Sequence, residues 1–329
     1  MSAALISLVL PVFNEGENIV ECLRSIERGL SGQAHEILVC YDIDEDTTLP
    51  AIAAMPDRPA SVRLVKNTLG RGAPKAMRAG FSAARGDVIV TTMADLSDPP
   101  ALVPRMAQLV RGGADVVSGS RYMRGGSQQG GPLLKRTLSR LAGLLLYWIC
   151  GLRTKDPTNN FRAYSPAFLA GVEVESSRGF EIALELTVKA HLSGARVAEV
   201  PSSWVDRSAG KSNFKLWKWM PNYLRWFARA VLAPVLALGV LLGCAAWAAS
   251  RGGPDVLLHS GIALAVLVAA RILRGRNTRW DVLQPALWIL TPLFVEPSAR
   301  IWAALCAASV LLFVASRPWP RSRRARPAR

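Results

Sequence analysis

The first 120 residues alternate short, nearly unbroken apolar runs with stretches whose apolar residues recur at helical spacing, and this alternation constrains the fold more than any other feature. LISLVL (5–10) is followed by Ile19, Leu23, Ile26 and Leu30; EILVCY (36–41) by a helix near 46–54; SVRLV (61–65) by a helix from Ala73 to Ala84; and DVIVTT (87–92) by a helix near 100–111. A further strand, ADVVSGS, occupies 114–120. Apolar runs this short suit strands covered on both faces, and strands alternating with helices predict an α/β, doubly wound, mostly parallel sheet. Ligands of such sheets sit beyond the carboxyl ends of the strands. That points to the loops Pro11–Asn18, Asp42–Thr48, Asn67–Gly72 and Met93–Pro100, where acidic residues, glycine and proline gather.

The second half changes character. LLKRTLSRLAGLLLYWIC (133–150) carries Lys135, Arg136, Ser139 and Arg140 at helical spacing among Leu, Tyr and Trp, the pattern of a helix lying at a membrane interface, although an ordinary core helix would share it. Residues 213–229 read as an amphipathic juxtamembrane helix with cations on one face, aromatic residues on much of the rest and a break or kink at Pro221. From 230 to 316 uncharged Leu, Ala and Val dominate, in blocks at Ala230–Ala249, Val256–Ala270, Val282–Val295 and Ile301–Ser316. Four spans would place the first domain, the Arg271–Arg279 loop and the basic tail 317–329 on one side, as the positive-inside rule requires; a re-entrant hairpin of the last two blocks would leave two or three.

The net charge of +16 suits an anionic membrane surface or phosphate-bearing substrates, because the basic clusters border the apolar blocks and no nucleic-acid module accompanies them. The five cysteines and three histidines lack the spacing of a zinc site or disulfide framework. No secretory leader is evident at the N-terminus, so the domain 1–212 is expected on the cytoplasmic side of an integral membrane protein.

LPVFNE (10–15), ILVCYDIDEDTT (37–48), NTLGRGAPKAMRAG (67–80), GDVIVTTMADLSDPP (86–100), DVVSGSRY (115–122), DPTNNFRAY (156–164), RGFEIALEL (178–186) and EVPSSWVDRSAGKS (199–212) follow one another in an order that resembles the inverting nucleotide-sugar glycosyltransferases of Rossmann-like fold. Within that family they are most similar to the dolichyl- and polyprenyl-phosphate sugar transferases. The resemblance implies a nucleotide-sugar donor, UDP- or GDP-linked, held by Pro11, Asn14, Glu15 and Asp42, and a Mg2+ or Mn2+ ion on Asp95. It implies an acceptor phosphate bound by Arg121, Lys135, Arg136, Ser139, Arg207 and Lys211, with Asp95, Arg121 and Arg207 carrying the catalysis. Asp156, Arg162 and Glu185 also match family positions; Asp156 reads as a capping or loop-ordering residue and Glu185 as a buried partner of an arginine.

Two departures stand out: Tyr41 precedes Asp42 where the family has paired aspartates, and Met93 stands where its Asp-x-Asp motif begins. Mg2+ keeps several waters and needs few protein carboxylates, so Asp95 remains the expected ligand. No histidine lies in the motif loops, which suits an acceptor phosphate that is already ionised and needs no general base. The expected reaction is inverting transfer to polyprenyl phosphate at the cytoplasmic face. Transfer to a glycan or glycolipid hydroxyl, with Asp98 or Glu185 as base, is the competing expectation, and a weakened membrane scaffold of the same fold is a third. The sequence leaves homo-oligomerisation open.

Overall fold

The computed structural model describes residues 4–177, 179–206 and 217–232. The chain divides into compact units Met1–Val231 and Leu232–Arg329, and nearly all described residues belong to the first. A seven-stranded sheet forms its centre, built from β1 (Ile6–Pro11), β2 (His35–Tyr41), β3 (Val62–Lys66), β4 (Val88–Thr91), β5 (Val116–Ser120), β7 (Arg162–Tyr164) and β8 (Val197–Pro201). Their spatial order is β3-β2-β1-β4-β7-β5-β8, and every pairing is parallel except those of β7, which runs antiparallel between β4 and β5. The expected mostly parallel sheet is therefore present. β6 (Ser127–Gln129) and β9 (Ser203–Val205) form a separate parallel ribbon, each strand following the end of a strand of the main sheet.

The central strands are buried on both faces. On one side α1 (Ile19–Gly29) and α4 (Val103–Arg111) cover them, α1 through Ile19, Cys22, Leu23 and Ile26 at the spacing of a single helical face. On the other side lie α3 (Ala73–Ala83) and α7 (Ile182–Leu192). Gly80 lets α3 approach closely, since a Cβ there would fall 2.4 Å from Val9 and 2.8 Å from the Cys40 sulfur. The short α2 (Thr48–Ala53) and α6 (Pro166–Gly171) complete the connections.

α5 (Leu133–Cys150) occupies the range read from the sequence, and residues 217–232 form a further helix, α8. Leu146 and Cys150 of α5, Leu184 and Val188 of α7, and Trp226 and Ala230 of α8 make a third apolar core. α8 continues through Pro221, so of the expected break or kink the break does not occur. Anchors on either side of the proline offset its lost N–H bond: Trp219 packs edge-on against Phe180, and Asn222 donates to Glu181 at 3.2 Å. The expected spans lie outside the described residues apart from 230–232. Among the described residues no helix is long and apolar enough to cross a membrane.

Candidate active site

The order of strands reverses between β1 and β4, and the loops that follow β1, β2, β4 and β5 open at that end of the sheet. After β1 the chain turns at Asn14, whose φ of 57° is a left-handed value that asparagine tolerates better than most residues. This turn is bound to the loop after β2. The Asn14 N–H donates to Asp46 Oδ1 at 3.0 Å, the Glu15 N–H to Thr48 Oγ1 at 3.0 Å, and the Thr47 N–H to the Asn14 side-chain oxygen at 3.2 Å. Asn14 and Glu15 thus hold two strand-end loops in register.

Asp42 orders the Gly-rich loop. Its Oδ1 accepts from Asn67 Nδ2 and its Oδ2 from the Gly72 N–H, both at 2.7 Å, while Asn67 also donates to the Gly70 carbonyl. Gly70 and Gly72 sit at φ of 96° and 123°, backbone conformations that side chains disfavour. Tyr41 and Met93, the two departures from the family pattern, both pack as partly buried apolar side chains against the cores beneath the sheet.

Asp95 and Asp98 are both buried in the loop after β4. Asp95 Oδ1 accepts from the Ser97 hydroxyl at 2.6 Å and the Ser97 N–H at 3.2 Å. Between them Leu96 adopts a φ of 60°, which costs an L-residue with a side chain about 1–2 kcal/mol. Strain of this kind persists where the surroundings over-determine a loop, commonly at functional sites. Burial first, and then the charge of Asp95, push the Asp98 carboxyl up to about 7, against the opposing pull of Arg121 and a long 3.5 Å hydrogen bond from Asn159. Glu15 belongs to the same acidic neighbourhood: the buried Cys22 thiol on α1 is raised to about 12 by burial and then by Asp95, Glu15, Asp98 and Glu21.

Beside these acids, Arg121 follows β5 and is clamped by Asp156. Its Nε donates to Asp156 Oδ2 at 2.7 Å and its Nη2 to Oδ1 at 2.9 Å, and the Arg121 N–H also reaches Oδ2 at 3.0 Å. Burial alone would raise Asp156, but the Arg121 ion pair prevails and holds it below the usual carboxylate range. Arg121 Nη2 further contacts Thr158 at 3.2 Å and Ser139 of α5 at 3.4 Å, and Ser139 shares a 2.6 Å hydrogen bond with Thr158 and accepts from Tyr122 at 3.0 Å. Arg162, fully buried on β7, donates to the carbonyls of Asn159 and Asp156 and so fixes this loop from below.

The structure thus brings Asp95, Asp98, Arg121 and Ser139 into one neighbourhood. Arg136, one turn before Ser139 on α5, lines a groove of about 390 Å³ with Thr137, Arg140, Leu141 and Leu144. Lys135 is partly buried on the first turn of the same helix. Arg207 and Lys211 lie outside the described residues. Asp156 does order its loop, as expected. Glu185 departs from expectation, because its partners are the N–H groups of Glu175 and Ser176, at 2.6 and 2.7 Å, and Lys189 rather than an arginine. The residue missed in that motif is Glu181, buried, with one carboxylate oxygen that has no hydrogen-bond partner among the described residues. Nothing in the sequence separates it from Glu185, since both are acids in one apolar segment.

A mixed doubly wound sheet with buried carboxylates at its switch point and a clamped arginine alongside is the frame of a ligand-binding α/β domain. The chain belongs to glycosyl transferase family 2, whose model matches residues 7–169. It is 32% identical over 228 residues to a dolichol-phosphate mannosyltransferase of Pyrococcus furiosus, covering 68% of this chain and 63%, less than two thirds, of that protein. It is 32% identical to a polyprenol monophosphomannose synthase of Mycolicibacterium smegmatis, covering 62% of this chain and 79% of the relative. An undecaprenyl-phosphate mannosyltransferase of Micrococcus luteus is 29% identical over 66% of this chain and 92% of its own length. Among solved structures, a glucosyl-3-phosphoglycerate synthase of Mycobacterium tuberculosis with Mn2+, UDP and glucosyl-3-phosphoglycerate overlaps 72% of this chain and 80% of its own with a TM-score of 0.48 at 18% identity.

Proposed function

We propose that the protein transfers a hexosyl group from a nucleotide sugar to polyprenyl phosphate at a membrane surface, with inversion. One observation carries the reading: Arg121, in the acidic strand-end site, reaches Ser139 of α5, and α5 presents Leu134, Leu138, Leu141, Leu145 and Trp148 to the outside at helical spacing. A substrate with a phosphate head and a hydrocarbon tail fits that juxtaposition. The names of the relatives agree with it.

On this reading Pro11 and the loops ordered by Asn14, Glu15 and Asp42 seat the nucleoside. Asp95 and Asp98 are buried carboxylates on one strand-end loop, a hard-oxygen donor set that would fit a Mg2+ or Mn2+ ion. Such an ion would supply neutralising charge to the diphosphate leaving group. Arg121 keeps its Nε and Nη2 on Asp156 and turns Nη1 to the acceptor phosphate, oriented by the Ser139–Thr158 pair. Lys135, Arg136, Arg207 and Lys211 add positive charge around the headgroup. The acceptor phosphate oxygen attacks the anomeric carbon, the bond to the diphosphate breaks, and its electron pair leaves with the nucleotide. No proton has to be removed from the nucleophile.

Purified full-length protein in detergent, given labelled GDP- and UDP-sugars and polyprenyl phosphate, is expected to form a glycosylated lipid detectable by product mass. Transfer to soluble alcohols but never to the lipid rejects the acceptor. A second reading, transfer to a hydroxyl, is favoured by Asp98, whose carboxyl near 7 lies in the range of a general base. Asp98→Asn separates the two. Loss of chemistry with cation and donor binding intact supports the base; weakened Mn2+ binding supports the ligand.

A further inference from the structure

Glu181 stands at the N-terminal end of α7, where an acid ordinarily caps the helix, yet its side chain makes no capping hydrogen bond. It is 1% exposed. One oxygen, Oε1, accepts from Asn222 of α8 at 3.2 Å, and Oε2 has no hydrogen-bond partner among the described residues. A buried carboxylate oxygen left in this way is costly, because it has given up water without gaining a donor. The neighbouring chain leaves room for it: a Cβ at Gly179 would fall 2.3 Å from Oε2.

The position of this oxygen says what it can serve. α7 precedes the parallel strand β8, so its first residues lie at the carboxyl end of the sheet with the other site loops. The segment leading to Glu181 passes the Gly-rich loop, where a Cβ at Gly72 would lie 3.6 Å from the Ser177 carbonyl. The Asn160 side chain, next to the Arg121–Asp156 loop, donates to the Phe180 carbonyl at 3.3 Å. The phenol of Tyr223 lies within electrostatic reach of both Glu181 and Arg121. The diphosphate of a nucleotide-sugar donor and an acceptor phosphate are both anions that a carboxylate repels. The sugar ring is neutral and rich in hydroxyl donors, which a carboxylate oxygen accepts well.

We propose that Glu181 binds the hexose of the donor, its partnerless oxygen accepting hydroxyl hydrogens from the ring and so taking part in choosing the sugar. This rests on the reading of the protein as a nucleotide-sugar-dependent transferase. A site built to pair with substrate hydroxyls discriminates strongly, because an analogue lacking one leaves a buried acceptor unmatched.

The test uses full-length protein in detergent micelles with GDP, UDP, GDP-mannose, UDP-glucose and deoxy analogues of whichever nucleotide sugar binds. E181Q is expected to leave nucleoside diphosphate affinity within about twofold and to weaken the nucleotide sugar by about tenfold or more, with a smaller loss for the deoxy analogue that lacks the paired hydroxyl. Gly179→Ala, whose Cβ would press on Oε2 and on the Trp219 ring without removing the carboxylate, is expected to reproduce the sugar-specific loss. Equal losses for nucleotide and nucleotide sugar, or none for either, overturn the proposal. Intact donor affinity with turnover abolished in E181Q also overturns it, making Glu181 a base and the acceptor a hydroxyl. A wild-type protein that binds nucleotide sugars but fails to glycosylate polyprenyl phosphate rejects the acceptor reading alone, and the E181Q comparison still decides this one. Wild-type protein that binds no nucleotide sugar rejects both.

Discussion

Arg121 and Asp156 form a charged pair so deeply placed that either partner alone would be a liability. The side chains are 9% and 0% exposed, and Asp156 additionally holds the Arg121 and Asn159 N–H groups. Asp156→Asn keeps the shape and removes the charge, leaving a buried guanidinium uncompensated. It is expected to destabilise the domain by about 3–5 kcal/mol, read by denaturant unfolding, and to lower transfer through the freed Arg121. The pair also sets an acid limit. Asp156 and Glu36 both have carboxyls below their ordinary values: burial opposes this in each, but Arg121 overrides it for Asp156, and Ser7, the Arg85 N–H and Arg63 together do so for Glu36. A depressed carboxyl contributes stability that is present above its ordinary pKa, here 3.8 and 4.5, and is lost as pH falls through the depressed value. The contribution of Asp156 and Glu36 to the unfolding free energy should therefore hold from pH 7 to about 5 and drop below about 4, with a shallower acid limb in Glu36→Gln, while Asp98, raised to about 7, adds stability as pH falls from 7 toward 4. An unchanged slope in that variant would rule Glu36 out as a contributor.

The contact that carries the functional reading depends on how α5 is seated. Gly143 lies against the chain at Lys155, where a Cβ would sit 2.1 Å from a backbone carbonyl, and Leu146 is fully buried one turn on. Gly143→Ala must push the helix outward, at about 1–3 kcal/mol for overpacking, and carry Ser139 away from Arg121 and Thr158. Ser139→Ala deletes the same contacts without moving the helix, at a cost of about 1 kcal/mol. Both variants should transfer sugar more slowly, but only Gly143→Ala should raise amide exchange around Leu146. The elements legible in the sequence were those with a clean period: β1 to β5, α1, α3, α4 and α5 lie within a few residues of where their apolar spacing puts them. The segment from 162 to 205 was not legible as structure, for physical reasons. β7 is three residues long with a buried arginine, and α7 is buried on nearly all sides, so it has no polar face to mark its period. At the site, motif residues were legible as positions, while partners such as Ser139 for Arg121 and Asn160 for Phe180 depend on contacts between distant segments.

At the scale of the molecule, a charged strand-end site and an apolar surface lie back to back on one helix. Leu141, Leu145 and Trp148 are 52%, 45% and 74% exposed, while Ser139, Gly143 and Leu146 on the opposite stripe face the domain. On α8, Trp217 and Leu224 are exposed at 75% and 56%, whereas Trp226 is buried and ringed by Lys189, Arg225 and Arg229 with their cationic groups 4.6–5.5 Å from its centre. Exposed Leu and Trp flanked by Lys and Arg are what settles at the boundary of a bilayer. If this surface delivers a lipid tail, replacing Leu141, Leu145 and Trp148 together by serine should leave the melting temperature nearly unchanged, since these side chains pack against little of the protein. The KM for a long polyprenyl phosphate should rise about tenfold, equivalent to about 1.4 kcal/mol of lost apolar contact, while a short water-soluble isoprenyl phosphate is used as before. Equal losses for both acceptors would place the effect in the catalytic site, and an unchanged KM for both would leave the exposed stripe without a part in acceptor binding.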